Sequence, residues 1–174
     1  MRRVVRSLKI FYHHWMVVGF EKNIERVAIK HLISLTELGD DWGMLELGAR
    51  LESGASIKKD YKKAFECYAF VANKLSPYTQ FAEFNIGNMY MHGLHHPKCE
   101  ATASQWFFKS AQRGFAPAQY NYGLSLIDGW AGCTNETEGI TWLQKAGNNG
   151  LDDASMALQN VLKNKSNEAL RNET

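Results

Sequence analysis

One pattern of small and apolar residues occurs three times along this chain and constrains its fold more than any other feature. It consists of a small residue, three variable residues, an apolar residue, glycine, two variable residues, a bulky residue, two variable residues and a final glycine. Its central glycines are Gly48, Gly87 and Gly123, spaced by 39 and 36 residues. Self-similarity at such a period is typical of stacked repeat proteins. The sequence therefore predicts repeats that bury their apolar faces against one another.

Each repeat is predicted to form two helices. In the second repeat Ala82, Ile86 and Tyr90 recur at four-residue spacing on one face of a first helix, which ends at Gly93. A second helix is predicted to begin near Glu100. The predicted apolar stripe of that helix is Ala103, Trp106, Phe107 and Ala111. The third repeat matches these positions at an offset of 36 residues, and the first repeat matches them at an offset of 39.

The glycine in the middle of each first helix needs a physical reason. Inside a helix, glycine is ~1 kcal/mol less favourable than alanine. Its presence at one register in all three repeats predicts that a side chain must be absent there, because a bulky residue packs against the bare backbone. On this interpretation Gly87→Leu would be strongly destabilising through overpacking.

The residues between these glycines give the chain a family resemblance. Residues 54–68, 106–114 and 118–123 are similar to successive parts of the Sel1-like repeat, and the resemblance covers roughly residues 24–160. It implies an all-α fold, a right-handed α-solenoid of helix-turn-helix repeats. It also implies that the first helices of the repeats line the concave side.

Three parts of the chain are predicted from this pattern. They are a degenerate N-terminal helical pair at 1–39, three Sel1-like repeats at 40–150, and a C-terminal capping helix with a polar tail at 151–174.

The two ends of the chain depart from the repeat pattern. Residues 4–18 would form one helix with Phe11 and Trp15 inward, and Glu25–Leu38 would form the next helix. Near the C-terminus Gln159 stands where glycine is expected, which suits a terminal cap. The polar tail from Ser166 is predicted to fray.

Composition and charge exclude several functional classes. The chain is 45% hydrophobic and 22% charged, which predicts a folded, soluble domain. Its formal net charge is only +2, and its basic residues do not recur in register, so no nucleic-acid partner is predicted. No stretch approaches the ~20 apolar residues that span a bilayer, so no stable membrane insertion is expected. Without a convincing signal peptide the cytoplasm is the expected location, with the periplasm or secretion left as alternatives.

The cysteines and histidines offer one alternative chemistry. The three cysteines are odd in number and unevenly spaced, which does not predict a disulfide framework. One loop contains four candidate zinc or copper ligands. They are His92, His95, His96 and Cys99.

Cys99 has a second interest because it stands where the first repeat has Asp60, a good helix N-cap. A thiol at a helix N-terminus beside Lys98 is predicted to have a lowered pKa. We therefore expect Cys99 to be alkylated faster than Cys67, which stands where the other repeats have a core Trp.

Enzymatic activity is not predicted, because no group of residues has the pattern of a catalytic site. The informative glycines lie at helix middles or ends rather than in a phosphate-binding loop, and no serine, histidine and aspartate spacing suggests a nucleophile. No catalytic residue and no cofactor are therefore expected.

A binding surface is the better candidate. Counted from the small residue that opens each repeat, positions 3, 6, 7 and 10 are predicted to face away from the apolar side and to hold an extended peptide. These positions carry Glu46, Ala49, Arg50 and Ser53, then Asn85, Asn88, Met89 and His92, then Asn121, Leu124, Ser125 and Asp128. Phe115 and Trp130, in turns, are further apolar contact candidates.

The sequence therefore predicts a non-enzymatic scaffold that binds a protein or peptide partner on its concave face. Two alternatives stay open. One is an immunity protein that neutralises a paired bacterial toxin or effector, and the other is a metal- or thiol-dependent role of the segment from His92 to Cys99. The oligomeric state is not predicted.

Overall fold

Helices make up all of the regular secondary structure in the part of the chain that the structure describes. The structure is a computed structural model that describes residues 10, 25–130 and 132–172. The helices are α1 (Glu25–Glu37), α2 (Asp41–Ser53), α3 (Tyr61–Ala72), α4 (Thr79–His92), α5 (Glu100–Gln112), α6 (Ala116–Asp128), α7 (Glu136–Asn148) and α8 (Asp152–Asn172). The predicted helix at Glu25–Leu38 is confirmed by α1, whereas the one predicted at 4–18 lies outside the described residues.

Sequence-coded caps set the helix ends. The side chains of Asp40, Asp60 and Asn135 accept hydrogen bonds from the backbone N–H groups three residues later, at 2.8, 3.0 and 3.2 Å. Each bond satisfies one of the amides that a helix start leaves unpaired. At the opposite ends of α2 and α6, Gly54 and Gly129 adopt the left-handed conformation, with φ of 80° and 73°.

Two compact units make up the chain, and their boundary falls inside α4. The first unit ends at Ile86 and the second begins at Gly87. In the first unit α1 packs on α2 and α2 packs on α3, around the buried residues Leu32, Leu35 and Tyr68. In the second unit α5, α6, α7 and α8 pack in succession around Phe107 and Leu143.

The predicted role of the mid-helix glycines is confirmed. A Cβ added at Gly48 would lie 2.6 Å from Cε1 of Tyr68, and one added at Gly87 would lie 2.6 Å from Cε1 of Phe107. Such distances are well below van der Waals contact, so the second helix of each repeat closes on bare backbone. At Gly123 the added Cβ would meet the carbonyl oxygen of Gly139 at 3.0 Å and Leu143 at 3.2 Å.

The C-terminal helix is longer than expected. The polar tail was predicted to fray from Ser166, but α8 continues to Asn172. A polar composition indicates that a segment is exposed, but it does not indicate that the helix ends there. No glycine or proline between Lys163 and Asn172 interrupts the helix. Lys165 on this helix also lies 3.4 Å from a carboxylate oxygen of Glu136 on α7. No helix among the described residues is long and apolar enough to cross a membrane.

A candidate partner-binding surface

The candidate site is a set of polar side chains on α2, α4 and α6, the first helices of the repeats. We call this set the polar row. It consists of Glu46, Arg50 and Asn85 in the first unit, and of Asn88, His92, Asn121 and Asp128 in the second. All seven side chains are at least partly exposed, so the structure places seven of the eight predicted partner-contact residues at the surface.

Ser125, the eighth residue, was predicted wrongly to face outward. It is only 1% exposed, its hydroxyl donates to the carbonyl oxygen of Tyr122 at 2.7 Å, and it lies 2.7 Å from the hydroxyl oxygen of Ser104. Met89, at the same repeat position, is fully buried. With 3.6 residues per turn, position 7 lies two turns beyond the opening small residue and on the same face, so Met89 and Ser125 are buried. Arg50 stands at this position in the first repeat, and its long side chain stays about one-quarter exposed.

In the first unit the polar row contains an ion pair. Arg50 Nε donates to Glu46 Oε1 at 2.8 Å, one turn apart on α2, and both side chains are about one-quarter to one-third exposed. The pair fixes the guanidinium while using only one of its five N–H groups. The remaining N–H groups can donate to carbonyl or carboxylate oxygens of a partner.

The asparagines of the polar row have unused hydrogen-bonding groups. Asn85, Asn88 and Asn121 are half-buried, yet their side-chain amides form no hydrogen bond within the described residues. The more exposed Asn73 and Asn149 differ, since they donate to the Ala69 carbonyl at 2.9 Å and to Gln119 Oε1 at 2.8 Å. Each free amide offers two donors and an acceptor.

The loop after α4 does not bring its histidines and Cys99 together as metal ligands. His96 stacks on Tyr90 with ring centroids 5.2 Å apart, and His95 lies beside His96 with centroids 4.2 Å apart. Cys99 Sγ is 3.1 Å from Thr102 Oγ1, and His92 is exposed at the end of α4. No group of three or more potential ligands capable of holding a metal occurs among the described residues. The four predicted ligands therefore form no ready metal site.

The two thiols predicted to differ lie in contrasting environments. The hydrogen bond with the Thr102 hydroxyl, helped by the backbone N–H groups of Thr102 and Ala101, lowers the pKa of Cys99. Burial, with a smaller contribution from Glu66, raises the pKa of Cys67 to about 11. The lowered pKa of Cys99 and the contribution of the helix N-terminus, through the amides of Thr102 and Ala101, are confirmed. The expected contribution of Lys98 is not, and its ammonium is paired with Glu100 at 2.7 Å.

The two tryptophans that were assigned to the core are only half-buried. Lys109 Nζ lies 3.9 Å from the ring centroid of Trp106, and Lys145 Nζ lies 4.0 Å from that of Trp142. These are cation–π contacts at three-residue spacing. In both repeats a lysine follows the tryptophan by three residues, and this spacing is visible in the sequence. Because a lysine ammonium lies at the surface, the spacing could have predicted that these rings are partly exposed.

An aromatic cluster in the second unit was not predicted. The ring centroid of Tyr122 lies 4.8 Å from that of Phe108 and 5.5 Å from that of Trp142. All three residues are half-buried. Burial, and to a smaller extent Glu138, raises the pKa of Tyr122. These residues come from three helices at unrelated repeat positions, so no single-helix pattern reveals the cluster.

The two turn aromatics proposed as contact residues are also half-buried. Phe115 occupies the N-cap position of α6, and the Trp130 backbone N–H donates to the Ser125 carbonyl at 3.0 Å. Each residue therefore has a structural position in a turn and is still partly exposed.

Comparison with known proteins identifies the repeat. The sequence model of the Sel1 repeat family matches residues 43–72, 80–115 and 116–151. A Sel1 repeat protein from Oxalobacter formigenes has a similar crystal structure, with 25% identity and a TM-score of 0.66 over 76% of this chain and 97% of that one. No curated protein gives a significant match.

A second solved structure extends the likeness. A protective antigen present in uropathogenic Escherichia coli strains, which displays an SLR fold, has 24% identity and a TM-score of 0.74 over 86% of this chain and 32% of that one. Together these likenesses confirm the predicted fold class, an all-α solenoid of Sel1-like repeats.

Proposed function

Because the chain belongs to the Sel1 repeat family, whose members generally mediate protein–protein interactions, we propose that it is a non-catalytic scaffold that holds a protein partner along the polar row. Proteins of this kind act by presenting a fixed surface rather than by transforming a substrate. In the first unit the proposed contact residues are Glu46, Arg50 and Asn85, and in the second they are Asn88, His92, Asn121 and Asp128.

The observation that carries this proposal is the set of three half-buried asparagines without an intramolecular hydrogen bond. No buried side-chain nitrogen or oxygen among the described residues lacks a hydrogen bond, so these three amides are in contact with water, and a partner can replace that water with its own peptide groups. The same chain pairs the amides of Asn73 and Asn149, which are more exposed. Asn85, Asn88 and Asn121 thus supply the unused polar groups of the polar row.

The chemistry of these side chains favours an extended peptide segment as the bound element. An asparagine amide matches a peptide group because it donates from nitrogen and accepts at oxygen. In the second unit Asn88 and His92 are one turn apart on α4, where they share a helix face. The Arg50–Glu46 pair in the first unit adds charged groups that can select partner side chains.

Selection of peptides on the folded protein tests the proposal. A phage-displayed library of random peptides is selected on the full chain, and the affinities of the selected peptides are measured for the variant Asn85→Ala/Asn88→Ala/Asn121→Ala. Each lost amide hydrogen bond should weaken binding by roughly 3- to 10-fold, with little change in the melting temperature Tm.

The matched control is Asn160→Ala, which removes an exposed asparagine of α8 and should leave peptide affinity unchanged. Equal binding by the triple variant and the wild type would overturn the proposal. Failure of any peptide to enrich over an unrelated helical repeat protein would overturn it as well.

A further inference from the structure

A hollow of about 340 Å³ opens in the first repeat, between α1, α2 and α3. Its walls include Leu47 of α2 and Lys63, Glu66, Cys67 and Phe70 of α3, so all of these belong to the first unit. The lining is largely apolar, and its size falls at the lower end of the range for pockets that bind small organic groups.

In the third repeat the position of Cys67 is occupied by Trp142. The indole ring lies 5.5 Å from the ring of Tyr122, centroid to centroid, and 4.0 Å from Lys145 Nζ. Its Nε1 donates to Glu138 Oε1 at 3.3 Å. Together with Phe108, whose ring centroid lies 6.2 Å from that of Trp142, these three side chains define the seat of this indole.

The repeat register relates that seat to the hollow. Gly48 and Gly123 are 75 residues apart, and the same offset relates the second helices of the two repeats. It relates Trp142 to Cys67, Tyr122 to Leu47, Glu138 to Lys63 and Lys145 to Phe70. All four first-repeat residues line the hollow. The hollow is therefore the indole seat of the first repeat, left open because Cys67 replaces tryptophan.

We propose that this hollow binds a tryptophan side chain presented by a protein partner. The inference deepens the proposed function and rests on it for the source of the ring. Trp106 and Trp142 show what the seat accommodates, since the two other repeats fill it with an indole of their own.

The lining residues account for how the ring would be held. Leu47 and Phe70 provide apolar and aromatic contact, and the Lys63 ammonium, which is well exposed, can approach the ring face. Lysine cannot accept a hydrogen bond, so the carboxylate of Glu66 takes over the role that Glu138 has for Trp142. The recognised group is thus an apolar ring with one N–H donor.

Fluorine NMR of the full chain tests the proposal without interference from its own tryptophans. The probe is the tripeptide acetyl-Gly-(5-fluoro-Trp)-Gly-amide, with free 5-fluoroindole as a comparator. A single side chain of this size should bind with a Kd on the order of 1 mM, seen as broadening and shift of the fluorine signal.

Two variants and a matched control locate the binding. Cys67→Trp fills the seat from within and should abolish the broadening while leaving Tm unchanged or higher. Cys133→Trp adds the same residue at an exposed cysteine and should bind the probe as the wild type does. Phe70→Ala removes one wall at a partly exposed position and should weaken binding by about threefold or more.

Three results would overturn the proposal. The first is undiminished probe binding by Cys67→Trp or, if that variant does not fold, by Phe70→Ala. The second is binding of free 5-fluoroindole without binding of the tripeptide. The third is absence of any binding to the wild type, as when another part of the chain or a second copy fills the hollow. The triple asparagine variant should bind the probe normally, which separates failure here from failure of the polar row.

Discussion

The ring of Phe107 lies directly on the backbone of Gly87, so closely that a Cβ added to this glycine would be 2.6 Å from Cε1 and 2.7 Å from Cδ1. Tyr68 makes the equivalent contact with Gly48. Phe107 and Tyr68 are each only 1% exposed, so both rings are enclosed by the protein. The closeness of the two helices in these repeats therefore depends on a missing side chain.

The variant Gly87→Ala tests this dependence through the sign of its effect. In an unconstrained helix the change would be stabilising by ~1 kcal/mol. Here we expect a net loss of about 1–3 kcal/mol in the free energy of unfolding, because the new methyl group overlaps the Phe107 ring. Urea denaturation of the variant and the wild type measures this difference in the free energy of unfolding.

The third repeat supplies the control for this experiment. It has Leu143 in place of the aromatic residue, and the nearest approach of that side chain to a Cβ at Gly123 is 3.2 Å. The double variant Gly87→Ala/Phe107→Leu should therefore recover part of the loss. If Gly87→Ala alone proved more stable than the wild type, the packing argument would be wrong.

This glycine contact could be predicted from the sequence because one register occurs three times. A residue that is unfavourable in each helix, and yet recurs, has to be explained by its neighbours. The helix bounds could also be predicted from the repeat pattern. Gly93 follows the end of α4, and residue 99 is the N-cap position of α5.

The burial of individual positions was harder to predict. Ser125 was placed at the surface by its repeat position, like Met89, although position 7 of the first helix lies on the same face as the buried position 0. The hollow beside Cys67 was missed for a different reason. A substitution of tryptophan by cysteine is visible in the sequence, but only the structure shows a hollow beside Cys67 that no described neighbour fills.

The protein should be more stable with glycine in place of His95. Its φ of 70° lies in the left-handed region, where a side chain is strained, and Ser56 at the same place in the first repeat has φ of 62°. His95→Gly should raise the free energy of unfolding by roughly 0.5–1 kcal/mol.

His92→Gly is the matched control, because His92 is exposed at the helical end of α4 and glycine there should be destabilising. A lower stability of His95→Gly would indicate that the His95 side chain makes contacts that outweigh the strain.

The contrast between the thiols predicts selective alkylation. At neutral pH a larger share of Cys99 is thiolate because its pKa is lowered, whereas Cys67 is buried with a pKa of about 11. Iodoacetamide, followed by peptide mass spectrometry, should therefore label Cys99 at least about tenfold faster than Cys67. Thr102→Val, which removes the hydroxyl next to Cys99 Sγ, should slow the labelling of Cys99. Equal rates for the two thiols in the folded protein would contradict the assignment.

The same shift at Cys67 predicts how stability depends on alkaline pH. Its pKa is raised from 9.0 to about 11 by folding, so the native state favours the neutral thiol. This contribution is fully present below the pKa of the unfolded chain and is lost as the pH rises from about 9 to about 11. The urea midpoint should fall across that range, and Cys67→Ala should reduce the slope. An unchanged slope in this variant would assign the dependence to other groups, such as Tyr68, whose pKa burial also raises.

The most direct test of the scaffold account is to observe the side-chain amide signals of the asparagines by NMR while a selected peptide is added. The account predicts that the Nδ2 signals of Asn85, Asn88 and Asn121 shift, because their free donors acquire partners. The signal of Asn149, which already donates to Gln119, should stay in place. Saturating peptide that leaves all three polar-row signals unmoved, with shifts elsewhere in the chain, would contradict the account.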